Sequence, residues 1–230
     1  MILAAGRGER MRPRTDATPK ALLCAGGKTL IERHLENLKR AGIHDAVINH
    51  AHLGERIEAA LGDGGRYGIC IHYSPEAEAL ETAGGIANAL PLLADGPFLV
   101  VNADVYCGLE FSGLFRKAGA MLEKPSGPLA YLVLVDNPPQ HPAGDFTLSG
   151  GTVALAGAPT LTFSGIGLYR AELFAAIARC AKARLGILLR EAAARGQVKG
   201  EHYRGPWSDV GTPERLRQLD AELNKHNRRP

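Results

Sequence analysis

The chain opens on a short apolar run that breaks at once into glycines and arginines. It reads Leu3-Ala4-Ala5-Gly6-Arg7-Gly8-Glu9-Arg10-Met11-Arg12-Pro13, with Thr18-Pro19-Lys20 close behind. A strand that ends this way constrains the fold more than any other stretch. Glycine reaches φ > 0 without steric penalty and lets the backbone approach a ligand. The amide N–H groups of such a turn converge readily on phosphate oxygens. Arg10 and Lys20 add positive charge beside Ala5, Gly6 and Gly8. The stretch therefore predicts a cradle for a nucleoside triphosphate at the end of a buried strand. Two other phosphate cradles are excluded. Met11 stands where the dinucleotide fingerprint requires a third glycine, and no Gly-Lys-Ser/Thr follows at P-loop spacing.

Beyond the turn, helical and strand periodicities alternate. Leu30, Ile31, Leu35, Leu38 and Ala41 form one apolar stripe over 28–41, a helix stopped by Gly42. Strands are predicted at 46–50, 69–73 and 98–101, and helices at 53–61 and 82–90. Phe98-Leu99-Val100-Val101 is continuously apolar, as in a strand covered on both faces. This alternation predicts an α/β fold, with a mixed, mainly parallel central sheet and helices on both faces. A helix at 111–123 and a strand at 130–135 continue it. Prolines and glycines through 136–160 predict loops and a small β-hairpin at the sheet edge. A strand at 161–169, two short helices within 172–194 broken near 182–186, a strand at 198–203 and a closing helix at 213–223 complete the chain.

At 230 residues, 45% hydrophobic and 22% charged, one domain is expected. Its nucleotide-binding half is 1–110; residues 111–230 form the other half with the closing helix. A net charge of +3 does not indicate nucleic acid as a partner. Neither a secretory signal nor an apolar stretch of ~20 residues is visible, so a cytoplasmic protein with no membrane partner is expected. Cys24, Cys70, Cys107 and Cys180 lie far apart and form no CxxC, which predicts reduced, mostly buried thiols.

Two aspartates complete the phosphate chemistry. Asp104 follows the strand at 98–102, with Asn102 just before it, at the sheet rim where ligands bind in open α/β sheets. A carboxylate beside a triphosphate calls for a cation, and Mg2+ takes carboxylate and phosphate oxygens together. The competing reading of Asp104 is a helix N-cap. Asp209, in Trp207-Ser208-Asp209-Val210-Gly211-Thr212-Pro213, is the second candidate ligand. By itself it reads as a turn residue before the helix start at Thr212-Pro213. His50 and His52 share a strand face but have no third ligand nearby, so His50 reads as a rim residue rather than a zinc ligand. Trp207 reads as a core aromatic, and Arg215-Leu216-Arg217 as a solvated helix face.

Leu3 to Lys20, Asp104 and the stretch from Trp207 to Arg215 together resemble the sugar-1-phosphate nucleotidyltransferases. Ile48-Asn49-His50, Tyr73-Ser74-Pro75-Glu76, Leu80-Glu81-Thr82-Ala83-Gly84-Gly85, Gly144-Asp145-Phe146, Thr162-Phe163-Ser164-Gly165 and the run from Gly200 to Gly205 resemble a uridylyl-transferring subgroup whose acceptor is a muramyl sugar phosphate. The resemblance implies a Rossmann-like nucleotidyltransferase fold with a hairpin-and-loop sugar-binding portion. It implies transfer of UMP from UTP to a sugar 1-phosphate, with release of pyrophosphate. Another sugar (mannose, glucose or N-acetylglucosamine), another nucleotide, or a catalytically silent nucleotide-sugar binder are the alternatives.

By the same resemblance, Ala5, Gly6, Gly8, Arg10 and Lys20 hold the triphosphate, and Asp104 and Asp209 hold Mg2+. Glu76, Leu80 and Gly84 lie around the base, where Glu76 either accepts the uracil N3–H or is an exposed loop carboxylate. Asn102, Asp145, Thr162, Ser164 and Gly165 lie near the sugar. Relatives grip the acceptor phosphate with a lysine of a Glu-Lys-Pro stretch. Here Glu123-Lys124-Pro125 comes too early in the chain, so the acceptor phosphate is expected to be held otherwise, by magnesium and an arginine, for which Arg204 is a candidate. With no further domain in its 230 residues, a monomer is expected.

Overall fold

The computed structural model describes residues 1–93, 95–122, 124 and 126–227. Glu123 and Pro125 of the Glu-Lys-Pro stretch lie outside them. The strands, in order, are β1 Ile2–Leu3, β2 Cys24–Ala25, β3 Lys28–Thr29, β4 Asp45–His50, β5 Cys70–Pro75, β6 Phe98–Asn102 and β7 Val105–Cys107. They continue with β8 Ala130–Val135, β9 Phe146–Ser149, β10 Thr152–Ala154, β11 Thr160–Tyr169, β12 Val198–His202 and β13 Trp207–Asp209. The helices are α1 Arg14–Ala17, α2 Leu30–Arg40, α3 Gly54–Leu61, α4 Glu81–Ala89, α5 Phe111–Leu122, α6 Leu185–Ala194 and α7 Pro213–Asn227. The fold is the expected α/β arrangement with a mixed sheet, but not a mainly parallel one: β6–β11, β8–β11, β9–β11, β9–β10 and β10–β12 pair antiparallel, against parallel β1–β4, β4–β5 and β8–β12.

The chain divides into two compact units, and they are not the two sequence halves. The first gathers Met1–Ala79, Asn102–Gly108 and Pro206–Pro230; the second gathers Leu80–Val101 and Leu109–Gly205. In the first unit β1 pairs parallel with β4, and β4 parallel with β5. α2 shows why local sequence makes these elements. Thr29 Oγ1 accepts from the Glu32 N–H while Glu32 Oε2 accepts from the Thr29 N–H, a closed capping box. Leu30, Ile31, Leu35 and Leu38 are buried on one face. At the far end Gly42, at φ 78°, lets its own N–H reach the Lys39 carbonyl and that of Ile43 reach Leu38. This pair of bonds satisfies the last helical carbonyls.

The closing helix was expected with the second half, but it packs in the first unit. Leu216 and Leu219 of α7 join Met11, Leu23, Ala25, Leu30 and Val210 in one buried cluster. The Gly26 N–H donates to Asp220 Oδ1 at 2.7 Å. The C-terminal helix is thereby fastened to the turn between β2 and β3.

In the second unit β6 pairs antiparallel with β11, β11 antiparallel with β8, and β8 parallel with β12. β9 and β10 form the expected hairpin; β10 pairs with β12, and β9 also pairs with β11. Phe98, Tyr169 and Phe174 pack with ring centroids 5.8 to 6.4 Å apart. The register of β11 against β8 shifts between Phe163 and Gly167, which places a bulge within residues 164–166.

Three expectations are corrected. The thiols are not mostly buried: Cys24, Cys70 and Cys180 are exposed, and Cys107 is half-buried. Trp207 is half-buried on β13 rather than in the core. Arg215 is not on a solvated face, since its side chain is only 15% exposed.

Candidate active site

The turn after β1 is built by Gly8. Its φ is 68°, and a Cβ there would come within 3.1 Å of Thr15 Cγ2 and 3.2 Å of Lys20 Cβ. Thr15 donates to the Gly8 carbonyl at 2.8 Å, and the Met11 N–H donates to the same oxygen at 2.9 Å. Glycine at 8 is thus favoured by its left-handed backbone, and a side chain there would press on Thr15 and Lys20. Gly6 differs, because a Cβ there would meet nothing within 4 Å. Its surroundings are open to an incoming group. Ala5 is buried and Arg10 exposed.

Asp104 caps no helix. It sits in the turn between β6 and β7, and the preceding Ala103 N–H donates to the Leu3 carbonyl at 3.0 Å. That bond sets the aspartate turn against the end of β1, where the glycine turn starts. Lys20 Nζ pairs with Asp104 Oδ2, closing a contact across 84 positions of sequence.

β13 brings Asp209 to the same place. β13 pairs antiparallel with β7, with Asp209 opposite Val105, and the Val210 N–H donates to the Asp104 carbonyl at 2.9 Å. Asp209, at the end of β13, is therefore set beside the turn that carries Asp104, although the two are remote in sequence. Arg215, one turn into α7, donates from Nη1 to Asp209 Oδ2 at 2.6 Å. Gly211 leaves the room for this: a Cβ there would collide with Arg215 Nη2 and lie 3.0 Å from both Arg10 Nη2 and Asp209 Oδ1. Arg10, Arg215 and Asp209 thus converge around residue 211. Thr212 Oγ1 accepts the Arg215 N–H at 3.3 Å, so the expected helix start also aims the arginine.

Glu76 is not an exposed loop carboxylate. It is 7% exposed and its Oε1 accepts from Asn49 Nδ2 at 2.6 Å. Asn49, 2% exposed, accepts at Oδ1 from the Ala4 N–H at 3.0 Å. One buried amide therefore joins the root of the glycine turn to Glu76. His34 lies beneath the 102–105 turn. Burial drives its imidazole down to about 4, against weaker opposing pulls from the Val105 backbone, the Asp104 charge and the Asn102 backbone. His50 is engaged by Glu58, with Nε2 2.7 Å from Oε1.

Asn102, the last residue of β6, belongs to the first unit, and the remaining candidates to the second. The N–H groups of Ala83 and Gly84 donate to the Ala183 carbonyl at 2.9 and 3.1 Å, and the Ala183 N–H to the Leu80 carbonyl at 3.1 Å. The space a Cβ would fill at Gly84 is taken by the Ala181 carbonyl, so this glycine has a packing reason of its own. Asp145 accepts the Phe163 N–H at Oδ2, 2.8 Å, and faces His141 Nε2 at Oδ1, 3.0 Å. Thr162 donates to Asn137 Oδ1 at 2.9 Å, and Ser164 Oγ accepts the Ile166 N–H at 3.2 Å. These side chains shape the bulge through internal bonds, and Gly165 at φ 81° allows its turn. Asn137 anchors Thr162, and its Nδ2 also reaches the Pro142 and Thr160 carbonyls at 3.1 and 3.2 Å. Arg204 is exposed just past β12. Sequence reasoning missed Arg215 and gave Asn49 and Asn137 no separate task. The i+3 spacing of Arg215 from Thr212 was the one local hint.

Residues 1–144 match the profile of the nucleotidyl transferase family. The chain belongs to that family. The nucleotidyl transferase is 52% identical to N-acetylmuramate alpha-1-phosphate uridylyltransferase of Neisseria meningitidis serogroup B, over 96% of each chain. It is 35% identical to the enzyme of the same name from Caulobacter vibrioides, over 97% of this chain and 96% of that one. A crystal structure of a Bacillus anthracis protein named as a glucose-1-phosphate thymidylyltransferase superimposes with a TM-score of 0.84 at 20% identity. That match covers 97% of this nucleotidyl transferase and 94% of the other chain, and it shows the common Rossmann-like fold.

Proposed function

We propose that this nucleotidyl transferase moves UMP from UTP to N-acetylmuramic acid 1-phosphate, giving UDP-N-acetylmuramic acid and pyrophosphate, as a step of cell-wall recycling. The choice of UTP and the muramyl acceptor rests on the likeness to the two uridylyltransferases. The chemistry rests on one observation: the β7–β13 pairing that brings Asp209 next to the Asp104 turn, whose Ala103 N–H bonds the end of β1. A cytoplasmic monomer, with small-molecule partners and neither nucleic acid nor membrane, completes the reading. Among the described residues no helix is long and apolar enough to cross a membrane.

The donor set suits magnesium: two carboxylates, hard oxygen ligands, with cationic side chains already disposed around them. Asp104 and Asp209 would hold the ion, which when bound supplies charge neutralisation on the phosphates. The protein's own groups do the rest. The open backbone at Gly6 and the turn held by Gly8 admit the triphosphate, and Arg10 and Lys20 offset charge on the departing pyrophosphate. A phosphate oxygen of the acceptor attacks the α-phosphorus as the bond to pyrophosphate breaks. That oxygen is already anionic, so no general base is needed, and catalysis is chiefly positioning and electrostatics. Glu76, aimed by Asn49, accepts the uracil N3–H. The bulge segment that includes Ser164 and Gly165, with Leu80, Gly84, Asn102, Asp145 and Thr162, shapes the base and sugar surroundings, and Arg204 contacts the acceptor phosphate.

Pyrophosphate release is expected only with UTP, magnesium and N-acetylmuramic acid 1-phosphate together, and it stops on chelation. Equal turnover of glucose, mannose or N-acetylglucosamine 1-phosphate, or of GTP, would reassign the specificity. Failure with every pair would leave a silent nucleotide-sugar binder. Asp104→Asn and Asp209→Asn are each expected to lower kcat by about a hundredfold or more, with circular dichroism unchanged.

A further inference from the structure

The first unit carries a second group of metal-competent side chains, apart from the aspartates of the reaction. Cys70 and His72 stand two positions apart on β5, hence on one face of the strand. Asp45 opens β4 directly opposite Cys70 in the parallel register. All three are exposed. His72 Nε2 lies 3.6 Å from Cys70 Sγ and 3.7 Å from Asp45 Oδ1, and the three donor atoms all fall within 4.8 Å of one another. Among the described residues this is the one place where three such donors converge.

These separations can be compared with a tetrahedron. Zinc bonds of about 2.3 Å to sulfur and about 2.0 Å to nitrogen and oxygen put S and N about 3.5 Å apart, and N and O about 3.3 Å apart. Both observed separations lie within about 0.4 Å of those edges. The remaining adjustment falls on Asp45, whose side chain is 76% exposed and can turn in solvent. The chemistry of the set also selects the ion. A thiolate and an imidazole favour zinc, whereas magnesium takes oxygen ligands and is better served by Asp104 and Asp209. One thiolate and one carboxylate balance the charge of a divalent cation.

We propose that Asp45, Cys70 and His72 form a surface zinc site with its fourth position open to water. On binding, the Cys70 thiol gives its proton to buffer and its sulfur bonds the ion. The three bonds tie β4 to β5 at their first residues. Towards the opposite ends of the same two strands lie Asn49, on β4, and Glu76, just past β5, so the site fixes the strands' register without touching substrate.

Cobalt(II) is the probe, added to the full chain with magnesium in excess. One equivalent is expected to give the near-ultraviolet thiolate-to-cobalt absorption and the visible bands of a tetrahedral ion, and zinc should bleach both. Cys70→Ser is expected to abolish the thiolate band, whereas Cys24→Ser keeps it. Calorimetric titration with zinc should show His72→Ala and Asp45→Asn weakened by more than about tenfold. The side chains are exposed, so the metal-free melting temperature of each variant should match that of the unaltered chain. Absence of the thiolate band in the unaltered chain, or its survival in Cys70→Ser, overturns the proposal.

Discussion

Both ends of the Asn49 amide are engaged in the protein interior, one by the Ala4 N–H and the other by Glu76. A buried carboxylate that loses such a donor pays its desolvation cost without return. Asn49→Ala is therefore expected to lower unfolding free energy by about 1–3 kcal/mol, measured in urea. It should also raise the KM for UTP, because the root of the glycine turn and Glu76 lose their common support. Arg215 is a comparable case. It touches Asp209 and shares the space around Gly211 with Arg10, so Arg215→Gln is expected to lower kcat about tenfold, with Arg215→Lys intermediate in steady-state assays. Neither residue stands out along the chain: Asn49 sits in a run of strand formers, and Arg215 looks like any charge on an amphipathic helix.

At the scale of elements, the short strands β7 and β13 matter more than the long ones. Three residues each suffice to bring Asp209 beside the Asp104 turn. α7 follows at once, and its apolar face holds the arrangement against the loop after β1. Leu219, 2% exposed, lies in that cluster. Leu219→Ala is expected to cost about 2–4 kcal/mol of stability, read from the urea midpoint at unchanged slope. The long elements were visible beforehand because each advertises itself locally. α2 shows its 3.6-residue stripe, its capping box and its glycine stop within fifteen positions of sequence or so. β7 and β13 are too short to show a period, and nothing within either names the other as its partner.

At the scale of the molecule, the buried His34 makes stability depend on pH. Its folded value near 4 lies below the ordinary 6.5, so between those values the unfolded chain binds a proton that the folded chain does not. Stability is thus full above about 6.5 and falls as the pH drops toward 4, by about 1.4 kcal/mol per unit from this group. Comparing urea unfolding at pH 7.5 and 5.0 in chelator, the unaltered chain is expected to lose about 2 kcal/mol more than His34→Gln. The amino-acid sequence alone determined the alternation of strands and helices and the glycine turn that follows the first strand. Periodicity, caps and glycine placement act between near neighbours and can be read where they stand. Tertiary structure decided that Asp209 comes beside the Asp104 turn, that Arg215 bonds Asp209 and Asn49 bonds Glu76, that α7 returns to the first unit, and which cysteines face solvent. Those facts depend on the register and pairing of strands far apart in the chain, where the free energy comes from burial shared among distant residues.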